Sequence, residues 1–141
     1  MRKATLTLVL TLAIALVMST TSIASGATGI AGRGSGGGWT VQVSAQLTPS
    51  GAHGMLSLCK VCAGGPVFQI VPPSATSDHW CIAAHRDDGP GNEMLYIRDV
   101  GDGKTTFDQF SFTSTFAPAD CTTFPDPFQY LTLDTGDFHS H

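Results

Sequence analysis

Glutamate is nearly missing from this 141-residue chain: Glu93 is the single Glu among eleven acidic residues. Lysine and arginine are scarce as well, seven in all. Glutamate supports helices, whereas Asp and Gly end elements and fill turns, so an acid content of ten Asp with sixteen Gly and eight Pro reads as a loop-and-turn composition. The shortage of cations excludes the basic stripe that nucleic acid or an anionic membrane surface would require. No apolar run reaches the length of about 18 residues that a spanning helix needs. Outside the first residues, apolar positions do not recur at i, i+3, i+4 and i+7, so amphipathic helices are not expected. Gly-x-Ser-x-Gly, His-Glu-x-x-His and a phosphate-cradling loop are all lacking, which leaves no catalytic constellation to nominate.

What is present begins with a short basic start, Met1-Arg2-Lys3, and the apolar run Leu6–Met18. Small residues at Ser22/Ala24 and Ser25/Ala27 permit cleavage after Ala24 or Ala27, the pattern of a helical secretory signal peptide over residues 1–27. Membrane contact is then expected only through that transient segment, and the protein is expected to be secreted or held at the cell surface. The remaining roughly 115 residues suffice for one domain. Past residue 27 there are five basic and eleven acidic residues, so the net charge is 5 − 11 = −6 with His neutral. Residues 28–38 are Gly/Ser-rich and read as a flexible leader, placing the folded domain at residues 39–141.

Within that domain the pattern is one of strands. Trp39–Leu47 alternates apolar and polar residues, as a half-buried strand does. Short strands follow at Gly54–Cys59 and Val67–Val71, the latter stopped by Pro72-Pro73. His79–Arg86 places Trp80, Ile82 and Ala84 on one face. Pro127–Leu133 and a short edge at Gly136–His141 close the chain. The expected fold is all-β, an antiparallel β-sandwich or small barrel of about seven to eight strands.

Met94–Phe112 carries the clearest hairpin signal. With Asp102-Gly103 as a two-residue type I′ turn, Leu95 faces Phe110 and Arg98 faces Phe107. Leu95, Ile97, Phe110 and Phe112 then form a core stripe, and Arg98 has an aromatic ring for a cation–π contact. Asp99, Asp102 and Asp108 gather at the tip. Hard oxygen ligands grouped on a loop suit Ca2+, which takes about 6–8 oxygens, although Asp also serves plain turn chemistry.

Four cysteines in an exported chain favour disulfides. Of three pairings, Cys59–Cys62 and Cys81–Cys121 are preferred, the first closing a tight loop and the second tying a strand to a proline-rich loop. A redox role for Cys59-Lys60-Val61-Cys62 is disfavoured, because Ala63-Gly64-Gly65-Pro66 follows where a helix would be needed. Zinc on Cys81 and His85 is opposed by a strand separation of about 13 Å. His139 and His141 share a strand face, but a chain end tends to fray.

Three features occur together: Gly36-Gly37-Gly38-Trp39 entering the first alternating strand, Asp88-Gly89-Pro90-Gly91 before a hairpin that ends Phe107-Asp108-Gln109-Phe110, and Gly136-Asp137-Phe138-His139 at the end. The combination resembles small secreted bacterial β-sandwich modules with a Gly-Gly-Gly-aromatic first strand. The resemblance implies a fold and a compartment, and it carries over no catalytic residue. The four cysteines and the final Ser140-His141 stand outside its pattern.

The expectation is therefore a non-catalytic module for surface or extracellular interaction, with an extracellular protein or polysaccharide as partner. Trp39 and Tyr96 are candidate contacts, and Trp80 suits the core better. A Ca2+-binding protein is one alternative. A small secreted hydrolase is another, since Ser, His and Asp need only meet in space.

Overall fold

The structure is a computed structural model and describes residues 28–60, 62–101, 103–127 and 129–141; the expected signal peptide lies outside these residues. Among the described residues nine strands follow one another: β1 (Gly29–Gly36), β2 (Trp39–Thr48), β3 (Gly51–Cys59), β4 (Ala63–Val71), β5 (Trp80–His85), β6 (Asn92–Arg98), β7 (Gln109–Thr115), β8 (Leu131–Thr132) and β9 (Thr135–Ser140). All pairings between them are antiparallel, and the sheet order is β8-β7-β6-β5-β4-β3-β2-β1-β9. The fold is all-β, as the alternation of the sequence implies.

β8 and β9 are consecutive in the chain yet sit at opposite edges of the sheet. Residues 133–134 carry the chain between them. Leu133 N–H donates to the Asp108 carbonyl beside β7 (2.9 Å), and Asp134 N–H donates to the Ser35 carbonyl of β1 (2.6 Å). This step draws the two edges together and curls the sheet around one interior. Ile30, Val41, Val43, Leu56, Leu58, Ile82, Leu95, Ile97, Phe110 and Phe138 fill that interior, drawn from β1, β2, β3, β5, β6, β7 and β9. Leu95 and Phe110 are both 0% exposed, so the core stripe of the expected hairpin is where its pattern placed it.

The hairpin's details differ. Leu95 pairs with Phe112 and Ile97 with Phe110, two residues away from the register expected with an Asp102-Gly103 turn. The ladder stops at Arg98–Gln109, leaving a wide connection over 99–108. The cause is Asp108, which is 0% exposed and whose Oδ1 accepts the N–H groups of Val100 (2.8 Å) and Gly101 (2.7 Å). These bonds occupy backbone donors in the connection and hold it open as a loop. A shift of two residues leaves every side chain on its original face, which is why the core stripe survives. Arg98 therefore does not meet Phe107; its guanidinium stacks on Tyr130 at 3.8 Å.

The Gly/Ser-rich stretch 28–38, read as a flexible leader, instead supplies β1. Its glycines permit close approach. A Cβ on Gly32 would stand 2.2 Å from the Asp137 carbonyl of β9 and 2.6 Å from Phe138 Cα. The tight two-residue hairpin turn lies here too: Gly37 and Gly38 have φ of 57° and 80°, both positive as type I′ requires, and Gly36 pairs with Trp39 across it. The two glycine-bearing motifs from opposite ends of the domain meet, with Gly34 opposite Gly136 and Gly32 opposite Phe138. The strand expected over Pro127–Leu133 shortens to Leu131–Thr132. The C-terminal residues are not frayed: the His141 carbonyl accepts from Thr28 and Gly29 N–H (2.6 and 2.8 Å).

Candidate functional site: a groove on the outer face

A second, smaller apolar cluster lies on the outer face of β5 and β6. Cys81, Ala83, Met94 and Tyr96 project there and are covered by Ala119 and Cys121, with Phe68 and Tyr130 at the margin. The cover is the proline-bearing segment 116–130. It is pinned by the Cys81–Cys121 disulfide, by Tyr96 Oη–H donating to the Phe124 carbonyl, and by Cys121 N–H donating to Gln69 Oε1 at 2.8 Å. Both expected cysteine pairs are present, Cys59–Cys62 and Cys81–Cys121, so none of the four is a free thiolate for zinc.

Facing that cover is the turn between β4 and β5. Pro72-Pro73 ends β4 because proline offers no N–H to the ladder. Ser74 and Ser77 then exchange backbone hydrogen bonds (2.8 and 3.3 Å), closing a tight turn that delivers Asp78 and His79 to the start of β5. Between this turn, Arg98 of β6 and the residues around Tyr130 lies a groove of about 370 Å3. A neighbouring cavity of about 280 Å3 continues past His79 to the disulfide.

The groove is polar. Asp78 Oδ2 lies 3.0 Å from Arg98 Nε, with Asp78 67% exposed. Desolvation acts to raise the Asp78 carboxyl, but its bonds to Arg98 and then His79 outweigh it and hold the group below the usual carboxylate range. Arg98 also reaches Gln109 Oε1 through Nη1 (3.3 Å). Stacked on Tyr130, Arg98 is half-buried and lines the groove. Burial, opposed by the Arg98 charge and aided by Asp78 and Asp126, pushes the Tyr130 phenol up to about 12, and Tyr96 is likewise raised to about 12 by desolvation first. Both remain neutral donors at physiological pH.

His79 is 5% exposed. Its Nε2 lies 2.9 Å from the Pro125 carbonyl, which can only accept, so Nε2 carries a proton. Its Nδ1 is 3.3 Å from Asp78 Oδ1. Ser77 Oγ is 3.4 Å from both ring nitrogens, a position equidistant from the two and so along the lone pair of neither. The groove thus brings together a serine, a histidine and an aspartate, the residue types a hydrolase needs. A working triad places the serine on one nitrogen and the carboxylate on the other. Here the nitrogen away from Asp78 is occupied by a backbone carbonyl.

Two of the aspartates expected to hold Ca2+, Asp99 and Asp108, lie elsewhere, at the outer edge of β9. Asp108 Oδ2 accepts Phe138 N–H at 2.8 Å. Asp99 Oδ2 accepts Ser140 N–H at 2.9 Å and the Ser140 hydroxyl. Asp102 lies outside the described residues. Asp137 joins this group, with His139 Nδ1 3.2 Å from its Oδ2. The carboxylates act as a substitute strand, supplying acceptors to an edge that would otherwise present bare N–H groups. Among the described residues, no group of three or more His, Cys, Asp or Glu side chains is arranged to hold a metal ion.

Of the expected contacts, Trp80 and Tyr96 are buried, and Trp39 packs its ring 4.4 Å from Phe112. Sequence reasoning did not find the Asp78–Arg98–Tyr130 arrangement. The stop at Pro72-Pro73 was legible, but Tyr130 and Arg98 meet from segments far apart in the chain. No family model, curated protein or solved structure matches the chain.

Proposed function

We propose that this protein is an exported, non-catalytic β module that binds a neutral polysaccharide through the Asp78–Arg98 groove. The export pattern of residues 1–27, two cysteine pairs and the resemblance to secreted bacterial β-sandwich modules support the compartment. In this reading the two halves of the curled sheet, β9-β1-β2-β3 and β5-β6-β7, serve as the layers of a sandwich sharing one interior.

The observation that carries the reading is the paired donor and acceptor display in the groove. A vicinal diol can accept from Arg98, which lines the groove, while donating to Asp78, whose carboxylate is mostly exposed. Asp78 and Asp126 outnumber the single cation among the groove residues, which disfavours an anionic polymer. The site rests on strands and a disulfide-pinned cover, so little ordering accompanies binding. The misaligned Ser77–His79 pair favours binding over hydrolysis.

The test is titration with soluble neutral and acidic oligosaccharides, followed by backbone amide shifts. Neutral chains are expected to perturb residues around Asp78, Arg98 and Tyr130, and Arg98→Ala is expected to weaken binding about tenfold or more, the loss of a charge-assisted hydrogen bond. Perturbations that avoid the groove, or hydrolysis of the oligosaccharide, would overturn the proposal.

A further inference from the structure

The two cysteine pairs stand in opposite surroundings. Cys81 and Cys121 are 3% and 4% exposed and lie beneath the 116–130 cover. Cys59 is half-buried and Cys62 is exposed at the tip between β3 and β4. Cys62 has a φ of 47°, a left-handed backbone conformation that a side-chain-bearing residue adopts at a cost. The chain between the partners is also unequal, three positions against forty. Closing a short loop removes less entropy from the unfolded chain than closing a long one, so the short link resists opening less.

The surroundings of Cys62 leave room for an incoming group. A cavity of about 260 Å3 opens beside it, with Met55 54% exposed on one wall and Asp87 and Asp88 on the other. Ser57 Oγ lies 3.6 Å from Cys59 Sγ, placed to donate to sulfur as charge develops there.

A strand follows Cys62, so the pair is no thioredoxin-like motif, and its exposure and short loop are what set it apart. We propose that Cys59–Cys62 is a thiol-exchange site, opened by an external dithiol while Cys81–Cys121 stays closed. A thiolate of the dithiol attacks the exposed Cys62 Sγ, forming a mixed disulfide and expelling Cys59 as thiolate, which Ser57 stabilises. The second thiol of the reductant then attacks the mixed disulfide and expels Cys62. Two electrons pass to the protein pair, the reductant leaves as its own disulfide, and the two protons its thiols gave up end on Cys59 and Cys62. The site shares no lining residue with the groove.

The experiment uses the folded wild-type protein. It is equilibrated with increasing dithiothreitol at neutral pH, quenched with N-ethylmaleimide and peptide-mapped. Cys59 and Cys62 are expected to label at a reductant concentration about tenfold or more below that for Cys81 and Cys121, which for a two-electron couple is about 30 mV. Lys60 Nζ sits 5.8 Å over the Trp39 ring, so the early step should also change Trp39 fluorescence. A Cys59→Ser/Cys62→Ser variant should lose that step and keep the late one. Simultaneous labelling of all four cysteines, earlier labelling of Cys81 and Cys121, or no labelling before the fold is lost would each overturn the proposal.

Discussion

Asp108 accepts three backbone N–H groups through its two oxygens, from Val100, Gly101 and Phe138, while Asp137 faces it from β9. Desolvation first, then the Asp108 carboxylate and the more distant Asp99, push the Asp137 carboxyl above its ordinary value; His139 opposes them. A group whose folded pKa is raised adds stability that is complete below the unfolded value of about 3.9 and is lost as pH rises through the folded value. Ionised Asp137 is therefore a burden at neutral pH. Arg33, opposite Asp137 in the β1–β9 register, is exposed. Replacing Asp137 by Asn should raise the thermal midpoint at pH 7, with the gain shrinking to nothing as pH falls below the ordinary carboxyl range. Equal midpoints at pH 7 would contradict this. From the sequence, Asp99, Asp102 and Asp108 were recognisable as a cluster, because they crowd one short stretch. The engagement of Asp99 and Asp108 with β9 was not, since Phe138 and Ser140 lie thirty and forty-one residues away from their partners.

Among the elements, β1 is the one its own composition conceals. Strand recognition relies on alternating side chains, and Gly29–Gly36 has almost none to alternate. The glycines read as flexibility when taken alone; beside β9 they are the condition for contact. Gly32→Ala should cost about 1–3 kcal/mol in urea-induced unfolding, the usual penalty for overfilling a packed contact, because the new methyl would meet the backbone of Asp137 and Phe138. A cost indistinguishable from zero would mean that β9 can move away freely. By contrast, β2 and β5 were legible from alternation, with Val41, Val43 and Ala45 buried on β2 and Trp80, Ile82 and Ala84 buried on β5. The last strand was overextended, because Pro127 and Tyr130 line the outer groove and only Leu131–Thr132 joins the ladder.

At the level of the whole molecule, two layers of packing depend on each other. The interior is closed by β9, and the outer cluster is closed by the 116–130 cover. The Cys81–Cys121 link fastens that cover to β5. Replacing both cysteines by Ser should cost about 4 kcal/mol in the loop-entropy account for a loop of this length. It should also raise amide exchange across 116–130 before it does so in β2 and β3. Exchange rising uniformly would show that cover and sheet unfold as one unit. The groove should fail with the cover, because Asp126, Pro127 and Tyr130 supply one of its walls.

Local chemistry along the chain was enough to specify an all-β domain, the inward face of its central hairpin and the partners of its cysteines. Those features follow from side-chain period, turn residues and proximity, all of which act over a few residues or through one covalent link. Tertiary structure alone decided that a glycine stretch is a strand, that aspartates finish the edge of β9, and that Asp78, Arg98 and Tyr130 share a groove. Each of these joins segments far apart in the chain, and such contacts are selected by the space left when the sheet curls, which no short window of sequence records.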